Sequence, residues 1–166
     1  MDKKALDWLR EGPAWLKYAV ERQLLNLQSD VSPVLKDSAI QIGIGLNFLD
    51  VHINRSPLNG KISLLKKIPG KFKSLKKISS LLENERAIAI IEGKDIKIGL
   101  VLIASRLVRR ISTFLSEGDT IQIGQKVGMI RFGSQVDLLI PGVRSLKITT
   151  RPGERVKAGI SILASY

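Results

Sequence analysis

After Pro33 the apolar residues change their spacing. Ile40, Ile42, Ile44, Leu46 and Phe48 occupy every second position, with small or polar residues between them. Successive side chains of an extended strand point to opposite faces, so this period of two predicts a strand with one buried face. The same period returns in Ile96, Ile98, Leu100 and Leu102, in Ile121, Ile123 and Val127, and finally in Val156 with the Ile160 to Leu163 stretch. Residues 104–115 fit both periods: Ala104, Leu107, Val108, Ile111 and Leu115 suit a helix, while Leu107, Ile111, Thr113 and Leu115 suit a strand. Their strand-rich surroundings favour strand. Sheets therefore dominate the second half, and the expected class is mainly β (α+β).

Before Pro33 the period is helical. Residues 3–27 read as helix interrupted at Gly12-Pro13, where Pro13 suits the first turn of a second helix. Leu16, Val20, Leu24 and Leu27 then recur on one face, with Trp8, Trp15 and Tyr18 nearby. Such an amphipathic, aromatic stripe suits a membrane interface or a packed helix equally well. With 166 residues there is room for one core. The expected division is an N-terminal amphipathic helical segment, residues 1–30, and a β-domain, residues 31–166.

An internal echo refines the fold. Glu117-Gly118-Asp119-Thr120-Ile121-Gln122-Ile123-Gly124 is mirrored 35 positions later by Pro152-Gly153-Glu154-Arg155-Val156-Lys157-Ala158-Gly159. Two such units predict two similar hairpins with glycine turns, combined in an intertwined β-sandwich of the barrel-sandwich hybrid kind. Biotinyl and lipoyl carrier domains look like this too, but no lysine here sits in a carrier setting.

Composition removes several chemistries. Cysteine is absent and His52 is the sole histidine, which excludes thiolate nucleophiles, disulfides and a multi-histidine metal site. The net charge is +12, and between Asp50 and Glu83 stand eight cations without an acid: Arg55, Lys61, Lys66, Lys67, Lys71, Lys73, Lys76 and Lys77. A polyanionic partner is expected. Aromatics make up only 5% of the chain and no nucleic-acid-binding motif is visible, so an anionic phospholipid membrane is favoured over nucleic acid. No apolar run reaches the roughly 18 residues that span a bilayer, and no secretory signal stands at the N-terminus. The expected location is peripheral, on the cytoplasmic side of the cell membrane.

With these exclusions the nucleophile candidates are serines and threonines, and the sole imidazole, His52, suits a structural hydrogen-bonder more readily than a catalyst. The string Met129-Ile130-Arg131-Phe132-Gly133-Ser134-Gln135-Val136-Asp137 resembles the processing site of the short, archaeal-like class of phosphatidylserine decarboxylases. Asp50-Val51-His52-Ile53-Asn54-Arg55-Ser56-Pro57 resembles that family's histidine motif, and Glu83-Asn84-Glu85-Arg86 its Glu-Asn-Glu-Arg block. Ile103-Ala104 through Arg109-Arg110-Ile111, then Gly118-Asp119 and Gly124-Gln125, follow in the family's order. The resemblance runs from about residue 38 onward.

The resemblance implies that Ser134 attacks the carbonyl of Gly133, that the chain divides into 1–133 and 134–166, which stay together as partners, and that Ser134 becomes a covalent pyruvoyl cofactor. That group takes up the amine of a serine phospholipid, phosphatidylserine or archaetidylserine, and is the electron sink when carbon dioxide leaves. His52 is implied as the acid-base group, with Asn54 and Arg55 candidates for the lipid phosphate and a homo-oligomer a further expectation. The family's Ser-Pro-Ala-Asp-Gly segment, whose aspartate orients the histidine, corresponds here to Ser32-Pro33-Val34-Leu35-Lys36-Asp37 and lacks the Asp-Gly pair. Asp37, Asp30 and Asp50 are left as substitutes, and an unprocessed, membrane-binding homologue is the alternative reading.

Overall fold

The computed structural model describes residues 39–46, 50–75, 78–106, 110–130, 134–142 and 144–166. The expected N-terminal helices of residues 1–30 lie outside them, as do Asp30, Asp37, Phe48, Lys76, Lys77, residues 107–109 and Gly133. The described chain is mainly β with antiparallel sheets, as the spacing predicts.

Strands β1 (Ala39–Leu46), β2 (Ile53–Arg55) and β3 (Gly60–Ile68) are followed by the short helix α1 (Ile78–Glu83). Then come β4 (Arg86–Glu92), β5 (Lys97–Ile103), β6 (Ile111–Thr113), β7 (Thr120–Ile121), β8 (Lys126–Ile130), β9 (Ser134–Pro141), β10 (Lys147–Ile148) and β11 (Ala164–Ser165). Six of them form one sheet in the order β1-β9-β5-β4-β3-β7; β2-β8-β6 form a second, and β10-β11 pair alone.

The large sheet is apolar on both faces, unlike the half-buried strand expected over Ile96 to Leu102. On one face Ala87, Ala89, Ile91, Ile98, Leu100, Leu102, Val136, Leu138 and Ile140 join Ile111, Val127 and Ile130 of the second sheet in a single cluster. The intervening residues Ile88, Ile90, Val101, Ile103 and Leu139 form another cluster, which Leu81 of α1 helps to cover. Because both faces are buried, β4, β5 and β9 read as nearly continuous apolar runs.

Other expectations need correction. Ile121, Ile123 and Val127 do not share one strand: the chain turns between β7 and β8, and Ile123 is 65% exposed. The stretch from Val156 to Leu163 forms turns and extended chain, with pairing only at Ala164–Ser165. Strand β3 and helix α1 were not anticipated. Lysines at 61, 66 and 67 break the apolar pattern of β3, which also carries a bulge between Ile62 and Leu64.

The paired glycine units are realised as turns. Gly118, Gly124, Gly153 and Gly159 have φ of 94°, 79°, 82° and 73°, a region that glycine enters without a Cβ penalty. In three of the turns, Ser116 to Asp119, Gln122 to Gln125 and Arg151 to Glu154, the last amide donates to the first carbonyl. The side chain of that last residue then accepts from the first amide, at 2.8, 2.9 and 2.9 Å. Glycine at the third position is the mark of a type II turn.

The repeat extends into the strands. Ser112 pairs with Met129 and Thr113 with Gly128, while Lys147 pairs with Ser165 and Ile148 with Ala164. The amide of Phe114 donates to Val127 O, and that of Thr149 donates to Leu163 O. One hairpin backbone occurs twice, and Leu146, Leu163 and Ala164 of the second copy pack against the same cluster as the first.

Candidate active site

At the end of β1, Leu46 pairs with Ser134 at the start of β9. Just before β2, the carbonyl of His52 accepts from the amide of Ile130 at 3.2 Å, at the end of β8. Four residue steps separate Ile130 from Ser134, at most about 14 Å of extended chain. His52, whose carbonyl is hydrogen-bonded to Ile130, and Ser134, paired with Leu46, therefore flank one junction of the two sheets, although they are far apart in sequence.

Ser134 is 3% exposed and stands on the same face of β9 as Val136 and Leu138. Its Oγ is buried without a hydrogen-bond partner among the described residues. Such an orphan hydroxyl costs about 1–3 kcal/mol and calls for an explanation; a reactive role is one. His52 is half-buried, with Nε2 shielded from solvent.

The other predicted site residues divide around this junction. Asp50 is exposed in a bend, and β2 begins only at Ile53, so no regular strand sets Asp50 and His52 on one face. Asn54 Nδ2 donates to the His52 carbonyl at 3.4 Å. Arg55 Nη1 donates to Gly124 O at 2.8 Å, beside reciprocal backbone bonds of Ser56 with Gly124 and Gln125. These contacts sew the histidine motif to a turn of the first hairpin. Arg55 nonetheless remains exposed.

The Glu-Asn-Glu-Arg block is a clasp. Asn84 is fully buried; its side chain accepts from Lys73 N at 2.8 Å and donates to Lys73 O and Ala104 O at 2.8 and 2.9 Å. Glu83 receives Lys71 and Lys73 at 3.0 and 2.7 Å, and the Lys73 bond foremost, then that of Lys71, holds its carboxyl below the usual range. Arg86 Nη1 donates to Leu82 O at 2.6 Å.

One group near the junction escaped the sequence reading. Asp137 is 0% exposed, and its carboxylate accepts from Gln41 Nε2 at 2.7 Å and Gln135 Nε2 at 2.6 Å. Burial pushes its carboxyl up to about 6 against the opposing pull of the two amides. Period two puts Asp137 on the face of β9 opposite Ser134, so it cannot stand in for the missing aspartate beside His52. The available signal was polar residues at matching parity in paired strands: Gln41 and Gly43 in β1, Gln135 and Asp137 in β9. A shallow groove around Asn59, Lys61, Glu92 and Gln122 includes neither His52 nor Ser134.

A sequence model of the family described as phosphatidylserine decarboxylase matches residues 17–164. The chain is 35% identical over 167 residues to a phosphatidylserine decarboxylase proenzyme of Erythrobacter litoralis, covering 98% of this chain and 66% of the relative. It is 37% identical over 137 residues to the proenzyme so named from Desulfotalea psychrophila, covering 82% and 63%. A putative archaetidylserine decarboxylase proenzyme of Methanopyrus kandleri is 37% identical over 123 residues, covering 74% and 57%. The matched region thus spans two thirds or less of the length of these relatives.

Proposed function

Because this chain belongs to the phosphatidylserine decarboxylase family, we propose that it is a self-processing carboxy-lyase that converts a serine phospholipid into the ethanolamine form. The observation that carries the reading is Ser134: a buried hydroxyl without a partner among the described residues, at the start of a central strand, at the junction that also holds the only imidazole.

In the processing step, Ser134 Oγ bonds to the Gly133 carbonyl carbon as the Gly133–Ser134 C–N bond breaks, giving an ester and a free Ser134 amine. Loss of the Ser134 α-proton then expels the Gly133 carboxylate from Cβ, and water completes the ketone while ammonia leaves. Glycine at 133 leaves the carbonyl open to attack. The fit of Ser134 to this chemistry rests on its unengaged hydroxyl. The pyruvoyl group so formed at position 134 would supply a carbonyl for the substrate amine and an electron sink for loss of carbon dioxide. His52 moves the protons, taking one during processing and returning one to the α-carbon of the product. Arg55, exposed beside the motif, supplies a guanidinium for the lipid phosphate.

The sheets are read as the intertwined sandwich, supported by the apolar residues of all three sheets that meet in one cluster. A peripheral position on an anionic membrane, at its cytoplasmic face, is supported by the net charge of +12 and the exposed Lys61, Lys66 and Lys67 of β3.

Denaturing mass spectrometry tests the central step. The wild type is expected as two fragments, 1–133 and 134–166, and Ser134→Ala as one chain of 18.3 kDa. His52→Ala should fold, because alanine keeps the carbonyl that receives Ile130, and should lose decarboxylation of dispersed phosphatidylserine at least a hundredfold. A wild-type chain that stays whole, with no carbonyl trapped by borohydride, removes the enzyme and leaves the unprocessed membrane-binding homologue.

A further inference from the structure

The two hairpins share a backbone but not a surface. In the first, β2 covers the outer edge of β8, pairing Ile53 with Met129, and Ile130 is 0% exposed. In the second, Ser165 stands where Met129 stands, yet β11 pairs only with β10 among the described residues. Tyr166, in the place of Ile130, is 61% exposed, and Ile162 and Ile160 are 69% and 75% exposed. Charge has diverged as well. The first hairpin sets Lys126 against Glu117 and Asp119; the second sets Lys147, Arg151, Arg155 and Lys157 against Glu154 alone.

We propose that the second hairpin, residues 146–166, is the face that enters the headgroup layer of an anionic bilayer, with Ile160 and Ile162 inserted and the four cations meeting lipid phosphates. This rests on the reading of the chain as a lipid-directed enzyme and assigns the contact within it. Isoleucine and tyrosine beside unopposed lysine and arginine is the composition that such an interface rewards. A second copy would bring the same four cations against these, which opposes self-pairing. The lysine-rich segment before β4 is the weaker anchor. Lys71 and Lys73 are engaged by Glu83, and Lys66 and Lys67 lie on the part of β3 beyond its pairing with β7, where lysine blunts a strand edge. The hairpin also continues directly from β9, so the segment that begins with Ser134 carries its own anchor toward the lipid.

The absence of cysteine makes a site-specific test clean. Full-length I160C and I123C, each bearing an environment-sensitive fluorophore, are mixed with phosphatidylcholine vesicles with and without phosphatidylglycerol, lipids that carry no serine. Ile123 is a matched control, 65% exposed in the first hairpin. The expected result is a blue shift and quenching by brominated acyl chains for the label at 160 on anionic vesicles, and neither at 123. R151Q/R155Q/K157Q should weaken anionic-vesicle binding roughly tenfold, with decarboxylation of a monomeric short-chain serine phospholipid unchanged. A label at 160 that stays solvent-like on protein bound to vesicles overturns the proposal. So does a blue shift that needs only higher protein concentration, which would make the face a subunit interface. If the label inserts but no preparation decarboxylates, the membrane face stands and the enzymatic reading falls.

Discussion

Asp137 has two amides for partners and full burial for surroundings, so its charged form is the one the fold resists. Its carboxyl rises from 3.8 to about 6 on folding. The stability this group contributes is therefore complete below the unfolded value and lost as pH climbs through about 6. Two pKa units correspond to at most about 3 kcal/mol. Asp137→Asn keeps the shape and removes the titration. The difference in melting temperature between wild type and variant should therefore move in favour of the variant between pH 4.5 and 7.5, as read by thermal denaturation. A constant difference across that range would mean that the carboxyl titrates as it does unfolded. Ser134 and His52 were singled out only through the resemblance of their neighbours to a known family, because serine is plentiful in this chain and a lone histidine carries little signal by itself. Asp137 was passed over because a buried acid announces itself only when the parities of two paired strands are compared, and the partner strand of β9 lies almost a hundred residues away.

At the level of elements, glycine was the most legible residue and lysine the least. The echo of Gly118 and Gly124 in Gly153 and Gly159 predicted paired hairpins, because a left-handed turn position is a local demand that sequence displays directly. The lysines of β3 hid a strand, since an edge tolerates charge where a central strand does not, and edges are not marked in a linear pattern. In the same way, Val156 to Leu163 carried the right period without a neighbour to pair with. The glycines also differ in why they are needed. At Gly118 a Cβ would meet nothing within 4 Å, so Gly118→Ala should cost about 1 kcal/mol of backbone strain alone. At Gly60 the added Cβ would lie 2.4 Å from Glu92 O, so the β3–β4 edge has to part. Gly60→Ala is expected to destabilise by at least about 2 kcal/mol more than Gly118→Ala in urea unfolding. Equal midpoints would refute the packing account.

In the whole molecule, β9 lies between β1 and β5, paired along its length with one and over five residues with the other. If the chain divides before Ser134, the smaller piece is held as an inner strand of the sheet. Native mass spectrometry should then report one particle of undivided mass from a sample that denaturing conditions resolve into two, and fragments that drift apart in native buffer would contradict this strand order. The same order has a consequence for synthesis. Gln41 and Asp137, 96 positions apart, belong to neighbouring strands. A ribosome that has released residues up to 133 has made the first strand and every later strand of the sheet except the one that joins them. The nascent chain must hold this gap open while loop-closure entropy works against it. Ser134 is the first residue of the missing strand, so on the proposed function its hydroxyl would be delivered by the same event that closes the sheet. Assembly would then be the timer of the cut.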